Sequence, residues 1–127
     1  MFIEKESCNN CIVDLADDIK TSISAIDKGG LRIALVLNNK SELIGTITDG
    51  DVRRGLLKGY SLKTPLEKII KRNYLKATIK TERDEILKIM RKNAISQIPI
   101  ISESNKFIGL EIAEELLPSS NNFKLPN

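Results

Sequence analysis

A glycine, a threonine and an aspartate at three-residue spacing are the residues of this chain with the clearest chemical potential. Gly45, Thr48 and Asp51 lie where an apolar run ends and where acidic residues favour the start of a helix. At such a junction backbone N–H groups face an anion, a threonine hydroxyl can donate to a phosphate oxygen, and a carboxylate can accept hydrogen bonds from both hydroxyls of a ribose. The spacing therefore predicts a phosphate and sugar site. The alternative is that Thr48 and Asp51 only cap the helix.

Two cysteines form a second group that could do chemistry. Cys8 and Cys11 have the spacing of a redox or metal half-site, but the chain has no histidine and no third cysteine. We interpret both as structural thiols and predict no metal site. Histidine is also the commonest general base, and no serine or cysteine lies beside an evident activating partner. We therefore expect no catalytic residues in this chain.

The composition favours one compact domain. Hydrophobic residues make up 41% of the 127 residues, which is enough for one core. The 20 basic residues are interleaved with 17 acidic ones, and we interpret the densest basic cluster, Lys68 to Arg72 with Lys76, as a solvated helix face rather than a nucleic-acid patch. There is no tryptophan to stack on bases. No apolar run approaches membrane-spanning length and no secretory leader is evident, so we expect a cytoplasmic location.

The elements that must position these residues occur twice. The segments 30–52 and 95–116 each carry an apolar run, a polar turn and a second apolar run that contains a glycine, and these glycines, Gly45 and Gly109, lie about 64 positions apart. A unit of this length is too small to bury a core alone, and the pattern fits two copies of a small α/β unit. We therefore expect the functional site between the copies.

Hydrophobic spacing and turn residues predict the elements of each copy. Helices are predicted over 17–28, from Asp49 to just before Gly59, in a connecting segment opened by Pro65, from Thr81, and over 112–117. Strands are predicted over 33–37, 43–47, 77–79, 98–101 and 106–110. The residues expected to face the core from the helices are Ile19, Ile23, Ile26, Val52, Leu56, Leu57, Ile86, Leu87, Met90 and Ala94.

The duplication and the junction together resemble a tandem pair of cystathionine-β-synthase (CBS) domains over about residues 12–117. Gly45, Thr48 and Asp51 fit that family's Gly, Thr or Ser, and Asp signature, and its apolar-Ser-x-apolar-Pro-apolar segment is Ile95-Ser96-Gln97-Ile98-Pro99-Ile100. The resemblance implies an α/β fold of two β-α-β-β-α repeats packed as a pseudo-two-fold pair. The implied boundaries are an N-terminal arm at 1–11, repeats at 12–60 and 73–117, a connecting helix at 61–72 and a C-terminal linker at 118–127. The sequence leaves open whether 1–11 is a loose arm or a short helix.

The resemblance also implies a composite site for an adenine nucleotide, either AMP, ADP or ATP. Phosphate and ribose would contact Thr48 and Asp51 of the first repeat. By their charge Arg53 and Arg54 could neutralise a polyphosphate there, and the alternative is that this arginine pair is solvated. The adenine would be held by residues from the other repeat, namely Leu75, Ile95, Ser96 and Gln97. The mirror site departs from the pattern, because Ile112 and Glu115 occupy its Thr and Asp positions and Ala34 its Pro position. We expect one competent site and one degenerate site.

The predicted function is that of a non-catalytic regulatory module that controls an attached or partner enzyme and forms a homodimer. The segment from Thr48 to Leu57 most resembles CBS pairs that lie N-terminal to sugar-phosphate nucleotidyltransferase domains. Similar sequences also occur in CBS pairs that lie C-terminal to sugar-phosphate isomerase domains. The start at Met1 and the linker-like end favour the first arrangement. The alternative function is structural homodimerisation without a ligand, through an apolar stripe on Val52, Leu56, Leu57, Leu116 and Leu117. Nucleic-acid binding is a third hypothesis, and it predicts a steep salt dependence.

Overall fold

The computed structural model describes residues 1–113. Its helices are α1 (Ile19–Gly29), α2 (Asp49–Leu57) and α3 (Arg83–Asn93), with 3-10 helices at Lys5–Cys11 and Leu66–Lys68. Its strands are β1 (Phe2–Glu4), β2 (Ile12–Val13), β3 (Ile33–Leu37), β4 (Leu43–Thr48), β5 (Ala77–Thr78), β6 (Gln97–Ile101) and β7 (Phe107–Ile112). The predicted mixed α/β fold class is confirmed.

The strands form two sheets with the same internal arrangement. In one sheet β2 is parallel to β3, which is antiparallel to β4. In the other, β5 is parallel to β6, which is antiparallel to β7, and β1 adds an outer antiparallel strand beside β7. Each parallel pair encloses one helix, α1 or α3. The two halves of the chain therefore fold as two copies of one unit.

The recurrent glycines mark the places where each repeat's leading segment crosses the other repeat's sheet. Lys71, which precedes the second repeat, exchanges both backbone hydrogen bonds with Thr46 of β4, at 3.0 Å each. A Cβ atom on Gly45 would lie 2.7 Å from the carbonyl oxygen of Lys71. At the equivalent place, a Cβ on Gly109 would overlap the carbonyl oxygen of Ile3 in β1. Glycine recurs because backbone passes directly over both positions.

The hairpin turns of the two repeats also pair with each other. The N–H of Phe107 donates to the carbonyl of Ser41 at 2.9 Å, and the N–H of Leu43 donates to the carbonyl of Asn105 at 3.1 Å. Behind this contact one apolar cluster combines Leu35 and Leu43 with Ile101, Phe107 and Leu110, together with Cys8, Cys11, Ile33 and Ile112. The two repeats thus share a core, as the small size of each unit requires.

Several predicted elements differ from the observed ones. Residues 1–11 form neither a loose arm nor a simple helix, because β1 pairs with β7 before the 3-10 helix begins. Of the predicted connecting helix, regular structure is confined to Leu66–Lys68, because the chain extends at Lys71 to pair with β4. The final helix does not begin at Ile112, since that residue pairs with Gln97 inside β7. The remainder of that helix lies outside the described residues.

Some helix positions expected in the core lie at the surface. Ile19 and Ile26 are buried, whereas Ile23 is 37% exposed. Of the α2 positions expected in the core only Val52 is buried, beside the buried Gly55, while Leu57 is 80% exposed. The short α2 presents a narrow face to the core, so one buried position per turn satisfies it. In α3 Ala94 is exposed at the end of the helix. No helix within residues 1–113 has the length and apolar content needed to span a membrane.

Candidate functional site

A cleft of about 120 Å³ lies between the two repeats, beside the start of α2. The first repeat supplies Ile33, Thr46 and Thr48 from β3 and β4. The second supplies Ile95, Gln97 and Pro99 around the start of β6. The segment between the repeats closes one side with Lys71, Asn73, Tyr74 and Leu75. The structure therefore brings together four of the predicted site residues, namely Thr48, Leu75, Ile95 and Gln97.

Thr48 and Asp51 form a capping box at the start of α2. The backbone N–H and the hydroxyl of Thr48 donate to Oδ2 of Asp51, at 2.9 and 3.0 Å. The N–H of Asp51 donates back to the Thr48 hydroxyl oxygen at a longer 3.4 Å. The capping hypothesis is therefore correct for this structure. The arrangement also holds the carboxylate rigidly beside the helix N-terminus, where an anion is favoured.

Arg54 occupies the other oxygen of Asp51. Its Nη2 donates to Oδ1 at 2.8 Å, and the guanidinium-bearing side chain is 64% exposed. The guanidinium lies over Gly50, since a Cβ there would be 3.2 Å from Nη1. An arginine thus lies against the first turn of α2, beside the position predicted for a phosphate.

Asp51 and Arg54 line a second hollow of about 240 Å³ next to the cleft. Thr48 lines the cleft, whereas its hydrogen-bond partner Asp51 lines the hollow. Of two consecutive residues, Lys71 lines the cleft and Ile70 lines the hollow, so the two spaces are adjacent. The hollow also contains two lysines, Lys58 and Lys68. Three cations and one carboxylate therefore surround it, which favours an anionic group in this position.

Across the cleft from Thr48, the side chain of Gln97 is fixed by a hydrogen bond, whereas that of Leu75 is partly exposed. The side-chain amide of Gln97 donates to the carbonyl of Leu31 at 2.8 Å, which fixes the amide plane. Leu75 is 45% exposed, although it is a large apolar residue at the mouth of the cleft. A flat apolar ligand placed against Leu75 and Ile95 would cover this surface.

Ser96 is not brought into the cleft. It lines a separate hollow on the α3 side, with Met90 and Ala113. Its carbonyl accepts a hydrogen bond from the N–H of Ala113 at 2.8 Å. Ser96 lies in a bend just before β6, and Ile95 beside it lines both the cleft and this hollow.

Six cleft residues were missed by sequence reasoning. Two of them, Ile33 and Pro99, were predicted as strand residues but not as site residues. Thr46 lies two positions before Thr48 on the same face of β4, so strand alternation could have found it. Lys71, Asn73 and Tyr74 lie in a segment without regular structure, for which no sequence signal exists. The Tyr74 hydroxyl donates to the carbonyl of Leu43 at 2.9 Å, and burial raises the pKa of this phenol.

The equivalent position in the second repeat is built differently. Ile112 is fully buried in β7, and Leu110 occupies the place that corresponds to Thr46. Glu111, between them, is a buried acid paired with Arg83 at 3.1 Å and with the amino group of Met1 at 2.6 Å. Glu115 lies outside the described residues. Apolar side chains therefore replace the two hydroxyls of the first repeat.

The cysteines lie away from the cleft. Cys8 and Cys11 are free and buried, in the core that the repeats share. Burial, with a smaller contribution from the neighbouring Cys11, raises the pKa of the Cys8 thiol to about 11. Within residues 1–113 no three His, Cys, Asp or Glu side chains are grouped so as to hold a metal ion.

The comparisons with known proteins agree with the fold. The family model of the CBS domain matches residues 66–110. A crystal structure of the CBS domain pair of protein MJ0100, in complex with 5-methylthioadenosine and S-adenosyl-L-methionine, has a TM-score of 0.69 at 19% identity. The alignment covers 91% of this chain and 90% of that one. The chain has the fold of a CBS domain pair.

One further solved structure and one curated relative are similar to this chain. CBSX2 in complex with AMP has a TM-score of 0.75 to this chain at 12% identity, covering 97% of this chain and 94% of that one. Arabinose 5-phosphate isomerase GutQ from Salmonella typhi is 26% identical over 97 residues, which are 76% of this chain and 30% of that protein. The chain spans 30% to 34% of the length of the curated relatives that it matches.

Proposed function

We propose that this CBS pair is a non-catalytic regulatory module that binds an adenine nucleotide in the cleft between its repeats. The observation that carries the proposal is the cleft itself. It places Thr48, at the N-terminus of α2, opposite Ile95 and Gln97 of the other repeat. A ligand that touches both walls favours one relative placement of the repeats, and that placement is a signal. The AMP named for CBSX2 supports a ligand of this class.

The phosphate is proposed to bind beside Thr48, at the start of α2, and the ribose beside Asp51. The base lies against Leu75, Ile95 and Gln97. Ser96 contributes only by holding its neighbours, through the hydrogen bond between its carbonyl and Ala113.

Asp51 and Arg54 act together in this proposal. Ribose hydroxyls that bind Oδ1 of Asp51 replace Nη2 of Arg54, which holds that oxygen in the absence of ligand. The guanidinium of this pair is largely exposed, and the ribose hydroxyls give the carboxylate new hydrogen bonds, so the exchange costs little. The released guanidinium is then free to bind a phosphate, with Lys58 and Lys68 available for a longer polyphosphate chain.

The size of the cleft links binding to a change of shape. Sites for ligands of nucleotide size hold roughly 300–1,000 Å³, whereas the cleft holds about 120 Å³. In this proposal a nucleotide occupies both the cleft and the hollow beside Asp51, and its binding moves the segment at Ile70 and Lys71 that lies between them. Because that segment pairs with β4, its movement changes how the second repeat lies on the first.

The controlled enzyme is proposed to act on a sugar phosphate. The resemblance of the α2 segment favours an attached nucleotidyltransferase, and the similarity to GutQ supports an isomerase as the second candidate. We place the module in the cytoplasm, where both kinds of substrate occur.

The alternative function is structural homodimerisation without a ligand. Leu56 and Leu57 of α2 are exposed and could cover each other in a homodimer, but Val52 is buried in the core and cannot contribute to that surface. Dimerisation through α2 is also compatible with nucleotide binding, because the cleft lies between the repeats.

A thermal-shift panel of AMP, ADP, ATP, GTP and CTP tests the proposal. A ligand that binds only the folded state at 100 times its Kd adds about 2.7 kcal/mol. For a domain of this size that raises Tm by roughly 10 °C. We expect a rise with at least one adenine nucleotide and little with CTP. A flat panel at millimolar ligand, together with a dimer in light scattering, would instead support the structural alternative.

A further inference from the structure

Thr46 is a buried polar residue whose hydroxyl has no partner within residues 1–113. The residue is 4% exposed. Its backbone N–H and carbonyl are both bonded to Lys71, so only the hydroxyl is left unused. No fully buried side-chain nitrogen or oxygen of the described residues lacks a hydrogen bond. The Thr46 oxygen must therefore open onto the cleft that this side chain lines.

The fold itself does not need a hydroxyl at this position. Removing a hydroxyl from water without a replacement hydrogen bond is unfavourable, whereas a methyl group of the same size would be favoured. In the second repeat the equivalent residue is Leu110, which is fully buried. The polar side chain therefore occurs in the repeat that also carries Thr48 and Asp51, and it is replaced by an apolar one where those residues are absent.

The position along β4 indicates which part of a ligand Thr46 meets. Thr46 and Thr48 are two residues apart on one face, about 6.6 Å along the strand. Thr48 lies at the N-terminus of α2 and pairs with Ile33 of β3, whereas Thr46 lies farther from the helix and pairs with Leu35. A ligand whose phosphate lies beside Thr48 directs its base toward Thr46.

We propose that the Thr46 hydroxyl hydrogen-bonds a ring nitrogen or exocyclic amine of the bound base, and so contributes to base specificity. A hydroxyl can donate to the first group and accept from the second. The inference rests on the proposed function, since it assigns one contact within the same cleft. It adds a prediction that the proposed function does not make, which is that the residue improves binding at the expense of stability.

The substitution Thr46→Val tests this, because it replaces the hydroxyl with a methyl of nearly equal size. We expect the variant to have an unchanged or higher Tm without ligand. We expect its Kd for AMP, measured by calorimetry, to rise about 2- to 13-fold, the range for loss of one neutral hydrogen bond. The matched control is Thr78→Val in β5, whose hydroxyl accepts from the N–H of Lys80 at 3.2 Å. That control should lose Tm and keep its affinity for AMP.

Adenosine separates a base contact from a phosphate contact. Thr46→Val should weaken adenosine and AMP by the same factor, whereas Thr48→Val should weaken AMP more than adenosine. If the parent protein binds AMP and Thr46→Val binds it equally well, or if Thr46→Val lowers Tm as the control does, this inference is overturned while the proposed function stands. If the parent protein binds neither AMP nor adenosine in calorimetry nor any nucleotide of the panel, both are overturned.

Discussion

Replacing the carboxylate of Asp51 in two ways separates its structural role from its proposed role in binding. Asp51→Ala removes the acceptor of the Thr48 N–H, of the Thr48 hydroxyl and of Arg54. Loss of a helix cap of this kind costs about 1–2 kcal/mol, which lowers Tm by roughly 4–8 °C for a domain of this size. Asp51→Asn keeps one oxygen for the Thr48 N–H and loses the charge, so we expect a fall of only about half as much.

The two variants should nevertheless lose nucleotide binding together. In the proposal the ribose hydroxyls bind the charged Oδ1 of Asp51, which both variants remove, and hydrogen bonds to a charged group contribute about 1.5–3 kcal/mol. We therefore expect at least a tenfold higher Kd for AMP in both variants, measured by calorimetry. Asp84→Asn is the matched control, since Asp84 is an exposed acid in the first turn of α3 and should affect neither quantity.

Two results would contradict this reasoning. If Asp51→Asn bound AMP as tightly as the parent protein, Asp51 would be a helix cap alone. If Asp51→Ala kept its Tm within about 1 °C, the observed capping box would not contribute to stability.

Two further predictions concern the backbone and the thiols. Gly30 and Ala94 end α1 and α3 at equivalent places, with φ of 70° and 53°, and a Cβ disfavours this conformation. We therefore expect Ala94→Gly to raise Tm by about 2–4 °C and Gly30→Ala to lower it, although the new Cβ would meet nothing within 4 Å. Tm changes of equal sign in the two variants would refute the explanation. Burial raises the pKa of Cys8 from 9.0 to about 11, so the neutral thiol stabilises the folded state below pH 9 and this contribution is lost between pH 9 and 11. Tm should therefore fall less steeply over that range in Cys8→Ala than in the parent protein. Parallel plots of Tm against pH for the two proteins would disprove this prediction.

Local patterns predicted most of the regular elements because their causes are local. The spacing of Ile19 and Ile26 and the stop at Gly30 suffice to place α1. The strand Ile33–Leu37 was predicted with its observed bounds, since a continuous β-branched and aliphatic run has few alternatives. Where prediction failed, distant backbone was responsible. The sequence of residues 61–72 favours a helix, but pairing of Lys71 with Thr46 draws the chain into an extended form.

The candidate site was predictable only in part, for the same reason. Thr48 and Asp51 were found because a capping box and a phosphate site use the same residue types at the same spacing. Thr46 was missed because a threonine within a strand is unremarkable until its hydroxyl is seen to lack a partner. Ser96 was included because the motif carries it, although it lines the hollow beside α3 instead of the cleft.

The sequence by itself determined that the chain is a duplicated α/β unit with one polar junction and one apolar counterpart. Repetition, residue type and short-range spacing are sufficient for that, since each repeat follows the same local rules. Only the tertiary structure decided which side chains meet across the repeats, because the cleft is made by Thr48 and Gln97, which are distant in sequence. It also decided the reason for the recurrent glycines. Gly45 and Gly109 recur because each lies under backbone contributed by the other half of the pair, a contact that no local pattern can reveal.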